Sequence, residues 1–284
     1  MLTAPLIRQA VAQALAEDAP WGDLTSELFT PPEAQARLSV RFKQAGVLCG
    51  LPVARETFLQ VSPDCQWRER LTEGAQVQPG DIAAQVSGSA RGLLGAERVA
   101  LNFLQRLSGV ATLTAAYVAR AREGSPQVRI VDTRKTTPGL RALEKYAVTT
   151  GGAANHRYGL SDGILVKDNH LAVLAKQGVT LAQAVASARL RAPHLCRIEV
   201  EVENLDMARE ALEAGVDVLL LDNMSIAAMR EAVGLARGRA LTEASGNITL
   251  ARVAEVAATG VDFISAGALT HSAPALDISL DFEA

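Results

Sequence analysis

Residues 198–223 read I-E-V-E-V-E-N-L-D-M-A-R-E-A-L-E-A-G-V-D-V-L-L-L-D-N. The first run alternates apolar and acidic residues, the period of a strand. Apolar residues at helical spacing follow over 205–214, and Ala214 followed by Gly215 stops that helix. V-D-V-L-L-L-D is then a nearly unbroken apolar strand, as buried parallel strands are. Strand, helix and strand in so short a stretch make a βα unit of a parallel sheet.

The same rhythm extends on both sides. Strands are expected at 128–132, 164–167, 197–202, 217–221, 240–243 and 262–265, with helices between, among them 205–214 and 226–236. T-G-V-D-F-I-S at 259–265 echoes the A-G-V-D of 214–217. Repeats of ~20–30 residues imply a parallel sheet, closed as a barrel or open. Towards the amino end the pattern changes. Residues 4–16 have helical apolar spacing, W-G-D-L-T-S-E-L-F-T at 21–30 breaks it, and from 36 to 86 the period moves toward two. Strands are expected in A-R-L-S-V-R-F-K, in G-V-L-C-G, at 66–71 and at 81–86, with L-P-V-A-R-E-T-F-L-Q as a helix among them. Residues 92–122 are apolar-periodic and free of proline. They should form a long helix, broken near Ser108 and Gly109, that links two domains. The tail L-D-I-S-L-D-F alternates and is expected to return to the first domain as an edge strand. The chain thus reads as a strand-rich α/β domain over 1–105, joined by the tail 272–284, and a βα domain over 106–271.

Composition sets limits on function. The 284 residues carry 28 basic and 31 acidic side chains, a net charge of -3, and 4% aromatics. Neither the charge nor the aromatic content favours nucleic acid. Cys49, Cys65 and Cys196 stand far apart, which fits a reducing cytosol. The amino terminus lacks a signal-peptide layout and no apolar run reaches the ~20 residues of a membrane span, so a cytoplasmic protein is expected.

Three constellations carry chemistry. Between Val131 and His170 stand Arg134, Lys135, Arg141, Lys145, His156, Arg157 and Lys167, with glycines between them. Arg134, Lys135 and Lys167 fall just past the carboxyl ends of strands, the edge where α/β folds bind ligands. Guanidinium forks match carboxylates and phosphates, so Arg134, His156, Arg157 and Lys167 are candidate carboxylate binders. Glu199, Glu201 and Glu203 share one face of a strand, and a buried strand tolerates that only if the face meets a polar cavity. Glu201 and Asp222 could face that cavity together and hold Mg2+ with substrate phosphates. Finally, A-S-G-N-I-T at 244–249 and I-S-A-G-A-L-T-H-S at 264–272 are small-residue turns after the last two strands, suited to a phosphate. No zinc spacing, nucleophile elbow or P-loop is present.

The motifs D-T-R-K-T-T-P-G-L-R, N-H-R-Y-G-L-S-D, I-L-V-K-D-N-H, E-V-E-V-E-N, L-L-L-D-N, E-A-S-G-N-I and G-A-L-T-H-S, in that order, resemble the quinolinate phosphoribosyltransferase family. G-A-E-R-V-A-L-N-F-L-Q-R-L-S-G-V-A-T upstream resembles it too. The resemblance implies an α/β fold with an amino-terminal α/β sandwich-like domain and a carboxyl-terminal open βα-barrel of parallel strands. It implies an enzyme that joins quinolinate to 5-phosphoribosyl 1-diphosphate with Mg2+, releasing CO2, in a homodimer with shared sites or a hexamer. Arg98 would reach the neighbouring subunit's site. Arg134, His156, Arg157 and Lys167 would bind quinolinate, and Thr133 and Lys135 would lie at the diphosphate substrate. Glu201 and Asp222 would hold ribose hydroxyls and Mg2+, with Lys167 the third catalytic group. Ser245, Gly246 and Asn247, with Ser265, Ala266 and Gly267, would cradle the 5-phosphate. Ala153 stands where the family pattern implies a glycine. The rival readings are a paralogous ribosyl- or phosphoribosyltransferase for another base and a Schiff-base lyase using Lys167.

Overall fold

The computed structural model describes residues 2–283. The chain groups into two compact units. One comprises the chain up to Ala115, Thr136–Gly152 and the chain from Leu269 on; the other comprises Ala116–Lys135 and Ala153–Ala268.

The first unit is built on a four-stranded antiparallel sheet in the order Ile278–Phe282, Gln35–Phe42, Ile82–Ser89, Gln66–Glu69. The tail does return as an edge strand, pairing Leu38 with Phe282 and Phe42 with Ile278. Helix Leu51–Val61 supplies Leu51, Ala54 and Phe58 to the core beside this sheet. The long helix adds Leu93, Ala96, Ala100 and Leu104, spaced to lie on one face. Fully burying each large apolar side chain contributes about 1.5–3 kcal/mol.

Two expectations about this unit need correction. The long helix runs unbroken over Ala90–Gly124, past Ser108 and Gly109. A Cβ on Gly109 would lie 1.9 Å from the Pro274 carbonyl oxygen. The glycine is there to admit the backbone of the tail, not to break the helix. Residues 21–30 also contain a helix, Leu24–Phe29, whose Asp23 cap accepts the Ser26 N–H at 3.1 Å. Six residues are too few for periodicity to reveal it.

The second unit holds six parallel strands: Arg129–Val131, Ile164–Val166, Ile198–Val202, Val218–Asp222, Leu241–Ser245 and Phe263–Ser265. Counted along the chain, their order in the sheet is first, sixth, fifth, fourth, third, second. Each strand from the second to the fifth lies beside its successor, as short βα crossovers require. The sixth closes onto the first, and the barrel stays open between the first and second. A single bridge from Val131 to Ala154 starts to fill that seam. The repeated V-D has a structural cause: Asp217 accepts the Ile198 N–H and Asp262 accepts the Thr242 N–H, each at 2.7 Å. Each aspartate therefore pins the start of a neighbouring strand. Ser225 and Asn204 cap the intervening helices through the amides of Ala228 and Met207. Among the described residues no single helix is long and apolar enough to cross a membrane.

Candidate active site

The carboxyl ends of the six strands surround a cavity of about 520 Å³. Its wall includes Thr133, Arg134, Lys135, His156, Arg157, Lys167, Glu201, Asp222, Ser245, Gly246, Asn247 and Ser265. Five of the seven basic residues read between Val131 and His170 therefore line one hollow; Arg141 and Lys145 stand on helix Arg141–Thr150 and do not line it. Each residue arrives there because its strand ends there. Thr133, Arg134 and Lys135 follow the first strand, and the Thr133 hydroxyl accepts the Lys135 N–H at 3.0 Å. Lys167 follows the second strand, and the His170 ring accepts its backbone N–H at 2.9 Å. His156 and Arg157 come from the segment that enters the open seam. Ala154 donates its N–H to Ile130 at 2.9 Å, and His156 donates its N–H to the buried Asp132 carboxylate at 2.8 Å. Ala153 causes no strain here, since Asn223 and Asn247 are the only non-glycine positions with positive φ among the described residues.

The glutamate face divides by depth. Glu199 is buried, Glu201 lies at the cavity, and Glu203 is exposed beyond the strand end. Lys167 Nζ donates to Glu201 at 2.5 Å. With its side chain nearly half exposed and ion-paired, Lys167 lacks the apolar burial that a Schiff-base lysine needs. At the base of the site, His156 Nε2 lies 3.1 Å from Glu199 and 3.6 Å from Glu243. His156 Nδ1 accepts the Arg157 N–H at 2.7 Å, so both ring nitrogens are engaged by the protein. Burial and the adjacent Glu199 push the Glu243 carboxyl up to about 7. Burial and the nearby Arg134 lower the Arg157 guanidinium from its usual value, and Glu199 and Asp162 partly offset this.

The phosphate turns are corrected in detail. After the fifth strand the next helix begins only at Val253, so the turn is not a helix amino end. It is made instead by left-handed residues: Gly246 at φ +84, Asn247 at +49 and, from the neighbouring turn, Asn223 at +53. Asn247 Nδ2 donates to Asn223 Oδ1 at 3.0 Å, and Asn223 Nδ2 donates to Asp222 at 2.8 Å. In the sixth turn Ser265 reaches the cavity. Ala266 is buried and gives its N–H to the Val131 carbonyl at 3.1 Å, which removes it as a phosphate donor. Gly267 lies outside the cavity wall. Arg98 is exposed on the long helix and does not belong to this wall.

Sequence reasoning missed Asn223, Glu243, Leu165 and Leu220. Glu243, a lone acid in an apolar strand, could have been found by the argument used for Glu199. Asn223 is, glycine aside, of the residue type that best tolerates a left-handed turn after a strand. Leu165 and Leu220 carry no signal that separates wall from core.

Among the described residues only His156, Glu199 and Glu243 bring three possible ligands together closely enough for a metal ion. Arg157 and Arg134 beside them oppose a further cation. Glu201 and Asp222 are two carboxylates on one cavity wall, not a closed cage. That donor set suits a hard cation which takes its remaining oxygens from substrate.

A parallel βα scaffold whose mouth gathers four cations, three carboxylates and two tight turns defines an enzyme for small, multiply anionic substrates. The comparisons narrow the class. The chain matches the model of the quinolinate phosphoribosyl transferase N-terminal domain over residues 23–108 and that of the C-terminal domain over 110–281. It is 42% identical over 266 residues to the probable nicotinate-nucleotide pyrophosphorylase (carboxylating) of Bacillus subtilis (strain 168), covering 93% of this chain and 89% of that one. It is 43% identical over 272 residues to the protein of the same description from Synechocystis sp., covering 94% and 90%. The crystal structure of NadC from Streptococcus pyogenes superimposes with a TM-score of 0.93 at 42% identity, covering all of this chain and 99% of that one. The chain belongs to the quinolinate phosphoribosyltransferase family.

Proposed function

We propose that the protein transfers the phosphoribosyl group of 5-phosphoribosyl 1-diphosphate to the nitrogen of quinolinate, with loss of one carboxylate as CO2. The products are nicotinate mononucleotide and diphosphate, a step in making NAD. Family membership supports the reaction. The convergence of Arg134, Arg157 and Lys167 on one cavity carries the substrate assignment. Three cations at strand ends match two carboxylates held at fixed spacing, and guanidiniums bind them bidentately.

The chain's own residues contribute position and charge. Arg134, Arg157 and Lys167 orient the pyridine so that its nitrogen faces ribose C1. Glu201 and Asp222 accept the ribose hydroxyls as C1 gains positive charge. Lys135 meets the diphosphate. The turns at Ser245, Gly246, Asn247 and Ser265 hold the 5-phosphate. Glu201 and Asp222 would hold Mg2+, which would supply charge stabilisation for the departing diphosphate. Once the nitrogen is alkylated, the ring is cationic and can hold the electron pair left when the adjacent carboxylate departs as CO2; that carbon then takes a proton from solvent to give nicotinate mononucleotide. No side chain needs to act as a covalent nucleophile. Arg98 completes the neighbouring subunit's site in a cytoplasmic homodimer.

The test is a substrate-omission assay. Product should form only when quinolinate, phosphoribosyl diphosphate and Mg2+ are all present, and nicotinate should not replace quinolinate. Equal turnover of nicotinate would overturn the dicarboxylate reading in favour of a sister transferase.

A further inference from the structure

We propose that Asp162 is a positioning residue: its carboxylate ties shut the turn after Arg157 and so aims that guanidinium at a quinolinate carboxylate. The inference rests on the reading of the cavity as a quinolinate site and adds a residue from outside its wall.

Residues 157–163, R-Y-G-L-S-D-G, join the cavity arginine to the start of the second barrel strand at Ile164. Tyr158, Leu160, Ser161 and Asp162 are exposed, and Arg157, Gly159 and Gly163 are half-buried, so burial does not anchor the stretch. A loop without buried apolar contacts keeps one shape only if its polar groups hold it. Asp162 supplies that hold. One of its oxygens accepts the Tyr158 N–H at 2.5 Å, and the other accepts the Gly159 N–H at 2.7 Å. Both bonds are charge-assisted, and together they close a ring of backbone immediately after Arg157.

The same stretch holds the arginine itself. Arg157 Nη1 donates to the Gly163 carbonyl at 2.9 Å, across the closed turn. Gly163 lets the arginine stem lie close: a Cβ there would stand 3.2 Å from Arg157 Cβ and 3.5 Å from its Cδ. The bond to Gly163 engages one nitrogen and leaves the Nε and Nη2 edge of the fork for a two-oxygen ligand. Charge works in the same direction, since Arg134 repels Arg157 while Glu199 and Asp162 attract it. Releasing the Tyr158 and Gly159 amides would let Gly163 shift against Arg157, and with it the carbonyl that holds the guanidinium. A positioning group need not touch the substrate to change its binding, because misplacement of about 1 Å at the reacting geometry is costly.

The test compares Asp162→Ala with Asp162→Asn in the intact protein. Hydrogen exchange over residues 157–163 reads the tie. It should speed up most in Asp162→Ala and less in Asp162→Asn, whose amide oxygen can still accept an N–H. Kinetics read the consequence. Asp162→Ala should raise the KM for quinolinate on the order of tenfold and leave the KM for phosphoribosyl diphosphate and the melting temperature unchanged. Asp162→Asn should recover most of the loss. Faster exchange with an unchanged quinolinate KM would overturn the proposal, because the tie would then shape the loop alone. Equal rises in both KM values, or a lower melting temperature, would mark a general structural role and overturn it as well. Equal damage by alanine and asparagine would assign the effect to charge and not to the tie, and unchanged exchange in Asp162→Ala would remove the tie itself. The exchange arm gives its answer even if the parent protein does not turn over quinolinate, so the two readings fail separately.

Discussion

Glu243 is buried beside a second carboxylate, and this has a measurable cost. Its value of about 7 stands above the ordinary 4.5, so the folded state keeps a proton that the unfolded chain releases between those values. The stabilisation is complete below 4.5 and is lost as pH rises through about 7. The interval corresponds to about 3 kcal/mol. Glu243→Gln should therefore gain stability relative to the parent between pH 5 and pH 8, read as a widening gap in urea midpoints. A gap that is the same at both pH values would contradict this. The cations at the mouth behave differently, because they contribute little to the core. Lys167→Ala or Arg134→Ala should lower turnover by at least about 10²-fold, the usual cost of one well-placed donor, with unchanged circular dichroism and melting. Parental rates in either variant would remove these residues from the site. At this level the sequence was most legible for charge: a basic side chain just past a strand end has few places to go. It was least legible for Ala266, whose amide is consumed by Val131, because the destination of a backbone N–H leaves no mark on residue identity.

Turns and helices carry the next set of constraints. A Cβ on Gly246 would lie 2.3 Å from Asn223 Oδ1, and its φ of +84 already disfavours a side chain. Gly246→Ala should raise the KM for phosphoribosyl diphosphate on the order of tenfold or more and spare binding of quinolinate. An unchanged KM would show that this turn does not hold the sugar phosphate. Gly109 offers a purely structural control. Alanine there meets the Pro274 carbonyl at 1.9 Å, and Gly109→Ala should cost about 3 kcal/mol, seen as a lower melting temperature. Both glycines lie in stretches that the sequence marked, and the helix break expected at Gly109 is absent. Period-two and period-3.6 patterns located all six parallel strands and the returning tail, because burial on one or both faces writes itself into residue order. They led to a helix break that does not exist, because a glycine that admits a neighbouring backbone and a glycine that ends a helix look alike in one dimension.

The chain as a whole interleaves its two units, with Thr136–Gly152 grouped with the amino-terminal unit although it falls between two barrel strands. Periodicity identifies a helix but not the unit against which it packs, so this grouping is invisible in the sequence. The exposed Arg98 makes a prediction that only an assembly can satisfy. Arg98→Ala and Lys167→Ala proteins, each inactive alone, should recover activity when mixed, because in the proposed homodimer with shared sites a mixed dimer would retain one intact site. Verified mixed dimers without activity would show that each chain works by itself. In the proposed reaction the cationic mouth of the barrel holds quinolinate while it receives a phosphoribosyl group and loses a carboxylate. Release of CO2 from quinolinate labelled only in the carboxylate beside the ring nitrogen tests this most directly. One CO2 should appear for each diphosphate formed, and none should appear without phosphoribosyl diphosphate or with Lys167→Ala. Label retained in the product, or released at parental rate by that variant, would contradict the account.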